Sequence, residues 1–186
     1  MTILTRNPTN TNLLQPTKFL MSFDRIRDTQ YFLQAVNLPG ITGQQIRVPT
    51  PGLDYYSAGD KIEYNNLSIT FILDEEMLSW RNIHKWFRSF ASPEGTTERK
   101  ALAEIQEPAA IYEKSPYSDG VLNILTNLNN TNFRIDFYNL FPISLSDVDF
   151  DTRLSADHTM TATATFVYDY YNIYDTAPDT HSGLLL

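Results

Sequence analysis

Three alternating carboxylates are the most obvious candidates for chemistry in this sequence. Asp147, Asp149 and Asp151 are separated by Val148 and Phe150, so on an extended strand they would share one face. Three oxygen donors could begin a calcium site. Hard cations, however, need six to eight oxygens and usually a glycine-assisted bend, which a straight strand does not provide. We therefore expect a solvated, mutually repelling acidic face and no metal site.

A histidine and two serines are the other residues that could act in catalysis. His84 lies on the apolar side of a predicted helix, where a histidine is more often packed than catalytic, and no carboxylate is placed to orient it. Ser144 and Ser146 lack the glycines that a nucleophile elbow needs. The sequence has no Gly-rich phosphate loop and no cysteine. We therefore expect neither an enzyme nor a bound cofactor or metal.

Length and charge restrict the class of protein further. A chain of 186 residues is most simply one domain with a substantial core. A formal net charge of −8 argues against wrapping a nucleic-acid backbone, which requires a basic footprint. No signal peptide and no membrane-spanning segment is predicted, so we expect a soluble protein with no membrane partner. Aromatic residues make up 13% of the chain, which predicts a large core or large interfaces.

The stretch from Asn66 to Phe90 organises the predicted fold. Residues Leu67 to Leu73 alternate apolar and polar side chains as a half-buried strand does, and Asp74 follows as a helix N-cap. An apolar stripe at three- and four-residue spacing then predicts a helix packed on a sheet. The stripe comprises Met77, Trp80, Ile83, His84, Phe87, Phe90 and Ala91. We expect Trp80, His84 and Phe87 to be buried, and Trp86 and Arg88 to face away from the sheet.

The remaining chain predicts further strands between irregular arms. Predicted strands are Phe19 to Phe23, Gln30 to Asn37, Gln45 to Val48, Gly120 to Thr126, Phe133 to Tyr138, Ile143 to Phe150 and Thr159 to Tyr171. Phe19 to Phe23 should form a hairpin with Gln30 to Asn37, and Gly120 to Thr126 should form one with Phe133 to Tyr138. Phe141-Pro142 should end the second hairpin. A β-rich domain (16–171), carrying an insertion (92–119), lies between an N-terminal arm (1–15) and a C-terminal arm (172–186). The predicted fold class is mainly β, an antiparallel sandwich or barrel with one principal helix packed on it.

The order of these features resembles the tail-tube fold of contractile-tailed bacteriophages and related injection systems. Five motifs carry the resemblance between Pro16 and Tyr171: Pro16-Thr-Lys-Phe-Leu-Met-Ser-Phe, Asn37-Leu-Pro-Gly-Ile, Leu67-Ser-Ile-Thr-Phe-Ile-Leu-Asp-Glu-Glu, Trp80-Arg-Asn-Ile-His-Lys-Trp-Phe and Phe141-Pro-Ile-Ser-Leu-Ser. A last strand of alternating threonines closes on Tyr168-Asp-Tyr-Tyr. The order of these motifs along the chain carries the resemblance.

The resemblance implies a structural subunit that forms rings, hexameric by the family's pattern, and these rings stack into a hollow conduit for genome passage. It implies copies of the chain itself, other tail proteins such as sheath or baseplate, and transiently passing DNA as partners. It places the protein in the virion tail, assembled in the host cytoplasm. The arms and the insertion exceed a minimal subunit, so a specialised ring at the baseplate or at the head-proximal end is the alternative.

The resemblance also implies which residues contact neighbours. A long loop near Thr50 to Gly59 should reach another subunit, which makes Tyr55 and Tyr56 interface candidates. Trp86 and Arg88 are further interface candidates on the helix. Some of the carboxylates of Asp147, Asp149 and Asp151 should face the lumen or an adjoining subunit.

A monomeric carbohydrate-binding sandwich is the alternative from another functional class. Exposed tyrosines could stack on sugar rings. The candidates are Tyr55, Tyr56, Tyr117 and the segment Tyr168 to Tyr171. Aromatic residues at subunit interfaces explain the same pattern, so we favour the structural reading of these side chains.

Overall fold

The computed structural model describes residues 11–26, 29–91, 93, 95, 117–153, 155 and 159–175. Most of the N-terminal arm, nearly all of the insertion and the end of the C-terminal arm lie outside the described residues. The described chain forms nine strands and two helices. The elements are β1 (Phe19–Phe23), α1 (Thr29–Phe32), β2 (Leu33–Val36), β3 (Ile41–Val48), β4 (Tyr55–Tyr64), β5 (Leu67–Ile72), α2 (Leu78–Phe90), β6 (Ser118–Leu125), β7 (Thr131–Leu145), β8 (Thr161–Val167) and β9 (Tyr170–Asp175). The fold is mainly β and antiparallel, as predicted.

A long antiparallel ladder between β7 and the last two strands runs through the whole fold. Phe133 to Tyr138 pair with β9, and Phe141 to Leu145 pair with β8. Asp169 N–H donates to the Tyr138 carbonyl at 3.1 Å, which continues the ladder between β8 and β9. The predicted last strand is therefore interrupted at Tyr168-Asp169, and β9 extends the sheet into residues assigned to the C-terminal arm.

Two four-stranded sheets share β7, and each sheet contains one end of this ladder. The first sheet has the order β1-β6-β7-β9, and the second has the order β2-β5-β8-β7. Inward-facing side chains of both sheets form one core, and Phe23 stacks on Phe166 across it with ring centroids 5.4 Å apart. The alternation predicted for Leu67 to Ile72 and for Thr161 to Val167 is observed directly in their burial.

Of the two predicted hairpins, the first is wrong and the second is confirmed. β1 and β2 do not form a hairpin, because β1 pairs with β6 and β2 pairs with β5. The chain passes from one sheet to the other by way of α1, in which Thr29 is buried, and Ile26, which precedes α1, is buried as well. By contrast, the predicted hairpin of Gly120 to Thr126 with Phe133 to Tyr138 is confirmed by the pairing of β6 with β7.

Phe141-Pro142 does not end a strand. β7 continues to Leu145, and its register with β8 shifts between Pro142 and Ser144. Proline has no N–H to donate to a neighbouring strand. It is tolerated here because a bulge and a strand edge require no such hydrogen bond. The predicted strand from Ile143 to Phe150 therefore ends early, and residues 146–150 are not in a strand.

Helix α2 begins four residues later than the sequence predicts. Asp74 is not the N-cap residue, since the cap position is Met77 with a left-handed φ of 51°. The carboxylate of Asp74 nevertheless accepts a hydrogen bond from the Leu78 N–H at 2.9 Å. This bond satisfies one of the unpaired donors of the first helical turn. The capping chemistry is therefore as expected, although the helix boundary is not.

The buried face of α2 is rotated from the predicted one. Its buried residues are Ser79, Ile83, Trp86 and Ser89. His84 is exposed and stacks on half-buried Trp80, with ring centroids 5.3 Å apart and an interplanar angle of 8°. The small serine side chains on the buried face let the helix lie close to the core. Because serine is polar, the pattern of apolar residues in the sequence predicts that these positions face solvent.

Helix α2 lies beside the C-terminal half of β7. At one end the Trp80 indole N–H donates to the Ser146 carbonyl at 3.4 Å. At the other end Phe90 packs edge-on against Phe141, with centroids 6.4 Å apart. The helix therefore covers a strand edge that no β-strand pairs within the described chain, which protects it from unwanted pairing. None of the described helices is long and apolar enough to span a membrane.

Replacing Trp86 should destabilise the protein far more than replacing His84. Trp86 is 1% exposed, so Trp86→Ala should cost about 3–5 kcal/mol of the free energy of unfolding through a core cavity. His84→Ala, on the exposed side of the same helix, should change it by less than about 0.5 kcal/mol. Urea unfolding followed by circular dichroism measures both. Equal losses would contradict the observed helix orientation.

Candidate subunit-contact surfaces

Strands β3 and β4 form a hairpin that stands away from the two sheets. The predicted long loop from Thr50 to Gly59 is therefore wrong in part, because only residues 49–54 connect the two strands. Every residue of β3 is exposed, and β4 is exposed along nearly all its length. An isolated two-stranded hairpin is at best marginally stable in water, so this one requires covering by another surface.

Apolar side chains gather on one face of this hairpin. Val48 pairs directly with Tyr55, and Ile46 lies two residues before Val48 on the same face. Tyr55 is 61% exposed, and Tyr56 on the opposite face is 63% exposed. Both tyrosines are thus exposed, and both stay predicted contact residues.

Polar contacts hold the tip of the hairpin. Arg47 pairs with Asp54, and the Thr50 hydroxyl donates to the Leu53 carbonyl. Gly52 has a φ of 94°, a value that side-chain-bearing residues adopt at a cost. The tip is therefore preorganised to present its flanking residues.

Trp86 is not available for subunit contact, which corrects the sequence-based expectation. Its ring centroid lies 5.7 Å from that of Phe166 in the core, and the Arg25 guanidinium lies 5.5 Å from it. Burial lowers the pKa of Arg25. Arg88, in the last turn of α2, is half-buried and remains a predicted contact residue.

The three aspartates do not form a strand face. Asp147 and Asp149 are exposed in the segment that follows β7. Asp151 is held by Arg153, whose Nη2 lies 2.7 Å from its Oδ2 and whose backbone N–H donates to Oδ1 at 2.9 Å. The side-chain hydrogen bond from Arg153 lowers the pKa of Asp151. No cluster of three or more metal-ligating side chains occurs in the part of the chain that the structure describes.

Open sheet edges are the contact surface that the sequence did not reveal. In the first sheet, β1 pairs only with β6 and β9 pairs only with β7 within the described chain. In the second sheet β2 is also open, whereas α2 covers the opposite edge. In the described chain no further strand therefore pairs with either edge of the first sheet, although α1 contacts β1. Edges follow from non-local pairing, which single-sequence periodicity does not report.

The outward face of the first sheet carries tyrosines and one ion pair. Tyr138 stacks on Tyr170 with centroids 4.8 Å apart. The Tyr138 and Tyr174 hydroxyls lie 3.3 Å apart, and this contact together with partial burial raises the pKa of Tyr138. Arg134 pairs with Asp136 on the same face. Tyr170 and Tyr174 of β9 therefore contact Tyr138 and Arg134 of β7 on this face.

The tyrosines considered for sugar stacking do not form one platform. Tyr168 is 6% exposed and packs edge-on against Phe137 with centroids 5.0 Å apart. Tyr171 is half-buried beside the same ring. Tyr55 and Tyr56 lie on the separate hairpin. The arrangement thus serves the core and the hairpin surface and offers no shared aromatic face for a sugar.

Comparison with known proteins identifies a consistent group. A family model described as phage tail tube protein matches residues 8–174. The tail tube terminator protein of Enterobacteria phage T4 is 27% identical over 177 residues, covering 87% of this chain and 89% of that protein.

Solved structures of contractile injection systems share the fold. The tube terminating cap of the anti-feeding prophage superposes with a TM-score of 0.57 at 12% identity, covering 95% of this chain and all of that chain. A chain from the sheath/tube terminator of the extracellular contractile injection system PVC superposes at 0.54 with 15% identity, covering 88% and 99%. At these identities the likeness concerns the fold alone.

The buried hydroxyl of Tyr168 should make the protein sensitive to alkali. Burial raises the pKa of Tyr168, with Tyr171 and Tyr64 adding to the effect. A raised folded-state pKa contributes stability that is complete below the ordinary value of about 10 and is lost as pH rises above it. Tyr168→Phe should lose about 1 kcal/mol at pH 8, because the hydroxyl donates to the Asn65 carbonyl at 2.9 Å.

The same variant should then lose less stability than the unaltered protein between pH 9 and pH 11. Urea unfolding across that range measures the difference, with Tyr55→Phe on the exposed hairpin as the matched control. An alkaline slope for Tyr168→Phe equal to that of the unaltered protein would show that this hydroxyl does not couple to folding.

Proposed function

The chain belongs to the phage tail tube protein family, and from that membership we propose that it forms the ring that terminates a tail tube. Near full-length similarity to a tail tube terminator protein supports this position at the end of the tube. The proposed role is structural and requires no catalysis. The protein would act in the virion tail after assembly in the host cytoplasm.

A repeated ring of the tube itself is the second candidate, and it is the function that the sequence favours first. The fold does not separate the two, since a chain of a PVC sheath-tube complex superposes with a TM-score of 0.54 at 14% identity, covering 89% of this chain and 94% of that chain. A baseplate ring is a third position with the same fold. The named terminator relative is the observation that favours the end of the tube.

Edge pairing of the first sheet is the proposed means of ring closure. Unpaired backbone N–H and C=O groups at β1 and β9 can pair with a strand of another copy. Because the two edges differ, a β9-to-β1 contact is head-to-tail, and such contacts close into rings when the rotation per subunit permits. By the family pattern we propose six subunits.

The exposed hairpin supplies a second contact with a neighbouring subunit. Covering Ile46, Val48 and Tyr55 would remove apolar area from water, and burial contributes about 1.5–3 kcal/mol for each large side chain. We propose that the hairpin lies on an adjacent copy and that Tyr56 and Arg88 contribute to contacts with copies or with sheath or baseplate proteins.

The conduit would carry DNA without binding it. In a β9-to-β1 ring the first sheet forms a continuous wall, and we propose that its outward face lines the channel. Helix α2 and the second sheet then lie outside. Asp147, Asp149 and Asp151 are proposed to lie at a rim of the channel or against an adjoining subunit, where their charge would repel phosphate.

Disulfide cross-linking tests the proposed ring contact, because the native chain contains no cysteine. Ser22→Cys in β1 and Asn172→Cys in β9 lie at opposite edges of a four-stranded sheet. Three strand spacings place them about 14 Å apart within one subunit, beyond the roughly 7 Å that a disulfide spans. Under oxidation the double variant should therefore form a ladder of covalent oligomers ending at the ring size.

The matched control combines Ser22→Cys with Thr163→Cys, which lies on β8 inside the second sheet. It should remain monomeric on non-reducing gels. A ladder as strong from this control, or none from the edge pair, would contradict the edge contact.

Copy number separates a terminator from a repeated tube subunit. Quantitative mass spectrometry of purified particles, with labelled peptides of this chain and of the main tube protein, should find a single ring of copies per tail. A number that scales with tube length would contradict the terminator proposal and favour the repeated ring.

A further inference from the structure

Arg134 is held on the outward face of the first sheet by two neighbours. Its Nη2 donates to the Asp136 Oδ2 at 2.9 Å, and its Nε lies 2.9 Å from the Asp136 Oδ1. Tyr174, directly opposite Arg134 in the ladder, places its ring centroid 5.2 Å from the guanidinium carbon. Side-chain exposure is 45% for Arg134 and 16% for Asp136. One charge-assisted hydrogen bond and one close charge contact therefore join the two groups.

Arg134 is the only cation among the outward-facing side chains of the described strands of this sheet. The other outward positions are Leu20 and Ser22 on β1, Asp119, Val121, Asn123 and Leu125 on β6, Asn132, Asp136 and Tyr138 on β7, and Tyr170, Asn172 and Tyr174 on β9. One carboxylate on the same strand neutralises that one cation. Within these strands the outward face therefore presents no unpaired cation, and Lys18, which precedes β1, donates from its Nζ to the uncharged side chain of Asn129.

We propose that Asp136 is a positioning residue that keeps Arg134 from binding DNA on the channel wall. The inference rests on the proposed function, in which this face lines the conduit. Duplex DNA carries one phosphate charge per about 1.7 Å, and each unpaired arginine that contacts a phosphate releases counterions and adds salt-dependent affinity. Symmetry repeats the residue in every subunit, so an unmasked Arg134 would form a ring of cations. Tyr174 contributes by holding the guanidinium on its other side.

Asp136→Asn in assembled rings tests the proposal. The amide removes the charge that neutralises Arg134 and keeps the side-chain shape. Rings of this variant should bind a short linear duplex on the order of tenfold more tightly than unaltered rings at low salt, and the affinity should fall as salt rises. Fluorescence anisotropy of labelled DNA measures both effects.

Two controls separate unmasking from a simple change in net charge. Glu75→Gln changes net charge equally at an exposed carboxylate before α2, away from this face, and should not increase binding. The double variant Asp136→Asn with Arg134→Gln should return to the unaltered affinity, because no cation remains to be unmasked.

A closed circular duplex locates the binding surface. It has no end to thread, so rings that expose Arg134 inside the channel should bind linear DNA and not circular DNA. Equal binding of both forms would place this face outside the ring and overturn the inference, and so would Asp136→Asn binding no tighter than Glu75→Gln.

Failure of the unaltered protein to form rings would instead refute the proposed function. If only Asp136→Asn fails to assemble, Asn123→Lys adds an unpaired cation opposite Arg134 on β6 and leaves the native ion pair intact. Rings of Asn123→Lys must then bind linear duplex selectively, and no increase over unaltered rings would overturn the inference.

Discussion

The β7 ladder with β8 and β9 is the interaction on which the rest of this structure depends. The first half of β7 pairs with β9 on one side and with β6 on the other, and β6 pairs in turn with β1. The second half of β7 pairs with β8, which pairs with β5, and β5 pairs with β2. The two sheets thus face one another across one core. Core residues alternate with outward-facing residues along β7 and along β8 and β9. A shift of one residue in this ladder would turn both inward faces to solvent at once.

The branching of the ladder makes the two sheets unequal. Since β6 pairs only with the first half of β7, the second half keeps an edge, and α2 lies beside it through Trp80 and Phe90. Helix α2 therefore covers one edge of the second sheet, whereas neither edge strand of the first sheet has a further strand partner in the described chain. A chain with two different open edges on one sheet is suited to head-to-tail association, which connects the fold to the ring-forming role proposed for it.

Much of the local structure was predictable, whereas the pairing of strands was not. The alternation in Leu67 to Ile72 and Thr161 to Val167 predicts their buried faces because a strand has a period of two. Helix α2 was predicted too, but its orientation was not. Because Ser79 and Ser89 on the buried face are polar, the apolar pattern predicted that Trp86 faces away from the sheet and can contact another subunit. The resemblance to tail-tube proteins, carried by the order of motifs, predicted the family. The pairing partners and the open edges depend on residues distant in sequence, which periodicity does not report. Arg134 and Asp136 lie two residues apart on one strand face, and only the contact of Arg134 with Tyr174 depends on the distant strand β9.

A cryo-EM map of the purified, assembled protein tests the central claim most directly. The account predicts closed rings in which β9 of each subunit lies about 4.8 Å from β1 of the next, with Arg134 and Tyr174 facing the channel and α2 facing outward. A map in which the first sheet faces outward, or in which β1 and β9 contact no neighbouring strand, would contradict it.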